Sequence, residues 1–231
     1  MSKSWDAAAH AETFAIGLDV GQQVDFSALV VVSQVAHPGA FDPETETFHP
    51  ERELAVRWLE RPPLGTAFTS GINRAMALHN DPALLSREAA DTGRGPRTPP
   101  IIMDATGVGL PLVEMFQKHH KVRPVSVIIT GGAVVNSTAI GYRVPKQDLI
   151  AALSVEFELQ RIKIASGLDL SDDLLGELRN FRMETNAATG RTRFDAAPGH
   201  HDDLLIAVSL AVWWLQEQRR HTIGTARIVG V

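Results

Sequence analysis

The sequence predicts an α/β protein on one mixed sheet: an antiparallel three-strand meander joined to parallel strands and flanked by helices. Three observations carry this. Two runs rich in apolar and β-branched residues, Phe14–Val20 and Phe26–Ala36, stand close together near the start. A strand–helix–strand run over residues 101–130 has the βαβ form that implies parallel pairing. Near the end, Leu204–Leu215 is apolar almost all round, as a helix packed against a sheet must be.

Taken in order, the gap Gly21–Asp25 is short enough for a hairpin loop, so the first two strands are expected to pair antiparallel. His37–Pro50, with Pro38, Gly39 and Pro43, reads as a connection. Glu51–Glu60 alternates in part and becomes the third strand of the meander, stopped by Pro62 and Pro63. Thr69–Asn80 has helical spacing of Ile72, Ala75 and Met76, with Ser70 as its expected cap. Asp91–Pro100 is a loop of Gly, Pro and Arg. Ile101–Ala105 is a short buried strand, Leu110–His120 a helix and Val125–Thr130 a strand ended by Gly131 and Gly132. Pro145 suits a helix start, and that helix runs to about Gln160. Ile162–Ala165 is a brief extended piece, and Ser171-Asp172-Asp173 is expected to cap a helix reaching Phe181. Asn180–Thr185 and Arg191–Ala196 flank a turn ending in Gly190, a hairpin signal. Asp202–Gln218 is the last helix, and the final ten residues read as a loose tail.

Composition narrows the chemistry. The chain has 231 residues and no cysteine, which excludes disulfides, cysteine-held metal and a thiol nucleophile, and suits a reducing cytoplasm. No apolar run is long enough to span a membrane and no signal-peptide core follows Met1, so a soluble, cytoplasmic protein with no membrane partner is expected. Net charge is −5, and its distribution is uneven: residues 1–100 hold 8 Lys and Arg against 13 Asp and Glu, the remainder 14 against 14. Any surface for nucleic acid belongs to the second half.

Acids stand where burial should discourage them. Asp19 lies between Leu18 and Val20 near a strand end, Asp104 ends the strand Ile101-Ile-Met103, and Asp202-Asp203 opens the last helix. A buried carboxylate costs several kcal/mol unless paired, hydrogen-bonded or metal-bound. If they converge, such acids repel one another and hold divalent cations, and an all-oxygen set selects Mg²⁺ or Mn²⁺. Two such ions about 3.5–4 Å apart clamp the attacking and leaving oxygens of a phosphodiester displacement. Each acid also has a plainer explanation: an Asx-turn for Asp19, a helix cap for Asp104, an N-cap pair for Asp202 and Asp203. Successive residues at a helix start point about 100° apart, so one of the last two is expected as a direct ligand, and Asp203 is favoured with Asp202 behind it. His200 and His201 precede the pair and either support the metal and its water or are exposed loop residues. Lys146 at a helix N-terminus opposes the dipole unless it serves an anion. Arg182, Arg191 and Arg193 fall on alternate hairpin positions, a pattern suited either to phosphate contact or to a solvated face.

Together, Gly17-Leu-Asp-Val-Gly21, Met103-Asp-Ala-Thr-Gly107, Val144-Pro-Lys146, Glu177-Leu-Arg-Asn-Phe181 and Gly199-His-His-Asp-Asp-Leu204 resemble the nuclease domain of phage terminase large subunits in order and spacing. The resemblance runs from about Phe14 to Gln218. It implies an RNase H-like fold and two-metal cleavage of double-stranded DNA during viral genome packaging, with the metal acids on Asp19, Asp104 and the Asp202/Asp203 pair. It also implies partners: a packaging ATPase, a small terminase subunit or a portal. No Gly-x-x-x-x-Gly-Lys-[Ser/Thr] loop occurs, so one nuclease domain over residues 1–231 without an ATPase domain is expected. A junction-resolvase-like nuclease of the same fold is the alternative, and a non-catalytic packaging or scaffold module the next. A sugar-kinase-like ATPase needs two duplicated domains, and a histidine–aspartate phosphohydrolase is all-helical; neither suits this chain.

Overall fold

A computed structural model describes residues 12–21, 25–37, 40–42, 47–48, 51–86, 95–107, 109–185, 192–196 and 201–226. The strands are β1 (Glu12–Asp19), β2 (Ala28–His37), β3 (Phe41–Asp42), β4 (Thr47–Phe48), β5 (Glu51–Glu60), β6 (Ile101–Asp104), β7 (Val125–Thr130), β8 (Asn136–Thr138), β9 (Gly141–Pro145), β10 (Ile162–Ile164), β11 (Phe181–Thr185) and β12 (Thr192–Ala196). The helices are α1 (Phe68–His79), α2 (Gly109–His120), α3 (Lys146–Glu158), α4 (Ser171–Asn180) and α5 (Asp203–Ala226). Eight strands form one mixed sheet in the order β10-β5-β2-β1-β6-β7-β9-β8, and β3-β4 and β11-β12 are separate hairpins. The mixed sheet flanked by helices is the RNase H-like arrangement.

The meander is as expected: β1 pairs antiparallel with β2, and β2 with β5. The partial alternation of β5 has a local cause. Its register slips at Val31/Val32, where Arg57 is passed over, and the Arg57 Nε donates to the buried Ser33 Oγ at 3.0 Å. From β1 the sheet turns parallel, through β6, β7 and β9.

Period-two alternation sorts the strand side chains into two cores. Phe14, Ile16, Leu18, Val31 and Met103 pack on one face with Ile72 and Met76 of α1 and Phe116 of α2. Ala15, Val30, Val56, Ile102, Val127 and Val144 pack on the other with Leu149 and Leu153 of α3, Leu174 of α4 and Leu204–Val208 of α5. Each fully buried aliphatic side chain contributes about 1.5–3 kcal/mol, so α5, buried on nearly every side from Leu204 to Trp213, anchors the second face. α5 also comes very close to β1. A Cβ on Gly17 would stand 1.9 Å from the Ala207 carbonyl oxygen, so only glycine lets this helix lie here.

Several local expectations change. The strand β8 and its antiparallel partner β9 were not foreseen, because Asn136-Ser-Thr138 is polar and wholly exposed on the sheet edge. Ser70 lies inside α1, whose N-cap is Ala67 without a side-chain bond. Ser171 is likewise the first residue of α4, capped by Leu170 in a left-handed conformation (φ 65°). The last helix continues to Ala226 rather than ending near Gln218. Among the described residues no helix is long and apolar enough to cross a membrane.

Candidate active site

Backbone geometry alone brings the acids together. β1 and β6 are parallel neighbours with Leu18 opposite Met103, so Asp19 and Asp104 follow side by side at the strands' carboxyl ends. α5 crosses β1 at Gly17 and Ala207, which sets Asp203, one turn earlier, over the end of the same strand. β9 is parallel to β7 and ends at the same edge, delivering Lys146 as the first residue of α3. The crevice beyond the carboxyl ends of strands is the usual ligand position in an α/β sheet.

The electrostatics follow from this convergence. The Asp19 carboxyl is held well above the usual carboxylate range, first by burial, then by the charges of Asp104, Asp203 and Asp202; Lys146 pulls the other way. Asp104 is raised by burial and Asp202, against hydrogen bonds from Thr106 and the charge of Lys146. The Thr106 amide donates to Asp104 Oδ1 at 2.7 Å, while Thr106 Oγ1 accepts from the Ile129 amide at 2.8 Å and so ties the end of β6 to β7. Asp104 thus forms an Asx-turn with Thr106 instead of capping α2, which begins at Gly109. Asp203 is raised by burial and by Asp202 and Asp25, against Arg61 and His201.

Asp202 and Asp203 differ sharply. Lys146 Nζ lies 2.8 Å from Asp202 Oδ2, so the lysine serves the acid that opens α5. Asp203 Oδ2 is buried with no hydrogen-bond partner among the described residues; His201 Nδ1 lies 3.8 Å away. His201 is exposed and packs edge-on against Phe26, ring centres 5.0 Å apart. His200 and Arg191 lie outside the described residues. For Arg182 and Arg193 the register is informative: Arg182 is opposite Asp195 and Arg193 opposite Glu184, so each has an acid as its cross-strand partner.

Two residues at the site were not singled out from the sequence as site residues. Glu177 of α4 is buried, and its Oε2 accepts from the Leu205 amide of α5 at 2.8 Å. Burial pushes Glu177 up to about 7 despite that bond and the Arg61 guanidinium, which pairs with its Oε1. Arg61, at the end of β5, reaches it across 116 positions of sequence and also approaches Asp173 Oδ1 at 3.5 Å. A signal for Glu177 existed: it occupies the buried face of α4, one turn from Leu174. For Arg61 there was none.

A metal has a chemical fit here. The donors are all carboxylate oxygens, burial and then mutual repulsion raise Asp19, and Asp203 Oδ2 is, among the described residues, an orphan that a cation would satisfy. Among the described residues no three acidic or histidine side chains are drawn together closely enough to hold an ion.

No family model matches the chain, and no curated protein matches it. Solved structures do. The large terminase nuclease from the thermophilic phage G20c is 21% identical, with 88% of this chain and 84% of that one covered at a TM-score of 0.55. The g2p large terminase nuclease domain from bacteriophage SPP1, solved with bound Mn, is 12% identical over 86% of this chain and 84% of its own, at a TM-score of 0.47. The G20c likeness is one of fold: the chain has the RNase H-like architecture of a large terminase nuclease.

Proposed function

We propose that the chain is a divalent-metal-dependent endonuclease that cleaves double-stranded DNA during viral genome packaging, as one nuclease domain. The observation that carries this reading is the convergence of Asp19, Asp104 and Asp203 at one sheet edge, with a buried Asp203 oxygen that no group among the described residues satisfies. The fold shared with a phage large terminase nuclease supports it. Asp19, Asp104 and Asp203 would hold the metal, with Asp202, tied to Lys146, behind them. Bound Mg²⁺ or Mn²⁺, two ions in this reading, supplies Lewis-acid stabilisation of the phosphodiester and acidifies a water for attack. The residues themselves orient the donors: Thr106 fixes Asp104, Lys146 fixes Asp202, and the seat of α5 on Gly17 fixes Asp203. No side-chain nucleophile is required. Arg182, Arg191, Arg193 and Lys146 are the candidate phosphate contacts, and a packaging ATPase, a small terminase subunit or a portal delivers the DNA.

Plasmid cleavage tests this. Supercoiled DNA is nicked or linearised with Mn²⁺ or Mg²⁺, nicking stops in EDTA, and Asp19→Asn abolishes it. Cleavage persisting in excess chelator, or unimpaired in Asp19→Asn, overturns the reading.

A further inference from the structure

We propose that Glu177, held by Arg61, caps α5 from outside that helix and thereby positions Asp203. It is a positioning residue, and only its consequence for metal binding rests on the nuclease reading above.

A helix start leaves amides that need acceptors, and the N-cap side chain ordinarily serves the second or third of them. In α5 the backbone carbonyl of Asp202 accepts from the Ile206 amide at 2.8 Å, which makes Asp202 the N-cap and Leu205 the third residue. The Asp202 side chain is drawn to Lys146 instead, at 2.8 Å. The Leu205 amide donates to Glu177 Oε2, an acid 28 positions earlier in the chain, and this bond is buried. Glu177 Oε1 is paired with Arg61, which also reaches Asp173 one turn earlier on α4, so the arginine clamps one face of that helix.

A second line of contact leaves the same arginine. Its guanidinium carbon lies over the Phe26 ring, 5.5 Å from the centre. Phe26 packs on His201, whose Nδ1 is 3.8 Å from Asp203 Oδ2. One line thus ends on the main chain of the first turn of α5 and the other beside the carboxylate that turn carries. A cap from Asp202 would fix the turn only locally. A cap from Glu177 ties it to α4 and, through Arg61, to the end of β5.

The test combines amide hydrogen exchange with Mn²⁺ titration on the full chain. In Glu177→Ala the Leu205 amide loses about tenfold or more of its protection relative to amides of β2, the loss of a buried hydrogen bond. Glu177→Gln, which keeps one acceptor, loses less. Mn²⁺ affinity falls about 10–100-fold in Glu177→Ala and Arg61→Ala, the usual effect of removing a group that orients a ligand. Arg61→Lys recovers part of that loss. If Glu177→Ala does not fold, Arg61→Ala and Glu177→Gln supply both readouts. Unchanged Leu205 protection in the variants overturns the proposal, as does lost protection with wild-type Mn²⁺ affinity. If the wild-type chain binds no Mn²⁺ through Asp203, the nuclease reading fails. The exchange arm then decides the cap alone: graded loss upholds it, and no loss overturns it.

Discussion

Glu156 of α3 and Asp203 of α5 each keep 7% of their surface exposed, yet they are served in opposite ways. Glu156 accepts from Arg161 Nε and Nη2 at 2.9 and 3.0 Å and from Gln216 Nε2 at 2.9 Å. Among the described residues Asp203 has an oxygen with no donor, and the charges of Asp19, Asp25 and Asp202 act on it. Burying a charge is costly, and at Glu156 the protein offsets the cost itself. At Asp203 it leaves the cost standing. In the reading proposed above, the difference separates a carboxylate kept for the fold from one kept for a ligand.

The largest expected effect is a crossed pair of variants. Asp203→Asn lowers metal-dependent cleavage at least about 100-fold, since each factor of ten reflects about 1.4 kcal/mol of lost transition-state stabilisation. Its metal-free Tm stays equal or rises, because a repelling charge is gone. Glu156→Ala leaves cleavage nearly untouched and lowers unfolding free energy by about 1–3 kcal/mol. Parallel cleavage assays and denaturant titrations read both; a shared response from the two variants breaks the comparison.

Next in size is the seat of α5. Gly17→Ala forces a Cβ into the Ala207 carbonyl and costs about 1–3 kcal/mol while displacing Asp203. Gly71→Ala in α1 meets nothing within 4 Å and gains about 0.5–1 kcal/mol. Tm and Mn²⁺ affinity fall together only in the first variant.

A pH series sharpens the contrast further. Glu177 goes from 4.5 unfolded to about 7 folded, so the folded state holds its proton more tightly. Stability without metal therefore falls as pH rises from about 4.5 to 7, by an amount on the order of 2 kcal/mol. Asp19, Asp104 and Asp203 shift in the same direction and add to the fall. Denaturation of the wild type across this range shows the slope, and Glu177→Gln reduces it. The smallest effect belongs to an exposed pair. Lys163 holds Glu53 below its usual range at the surface, and Lys163→Ala leaves both Tm and cleavage unchanged within error.

Much of this architecture was readable from local pattern. The β-branched runs of β1 and β2, the βαβ run through β6 and β7, and the apolar stretch of α5 each follow from side-chain periodicity. Asp19 and Asp104 stood out because a carboxylate interrupts an apolar strand. What escaped notice depends on tertiary context. The edge strand β8 has no buried face to leave a pattern, and Ser70 and Ser171 looked like caps although the chain enters both helices without a side-chain bond. Helix geometry set Asp203 apart from Asp202, but the pairing of Asp202 with Lys146 depends on tertiary packing. Arg61 reaches Glu177 from a distant strand end, and no spacing rule relates them.

The central claim is that the converging acids at the ends of β1 and β6 and the start of α5 are a cation site. Crystals of the chain soaked in Mn²⁺ and measured at the manganese edge test it most directly. The expected result is anomalous density between the Asp19, Asp104 and Asp203 carboxylates, with Asp202 still on Lys146. Manganese bound elsewhere while these three acids remain unliganded would contradict it.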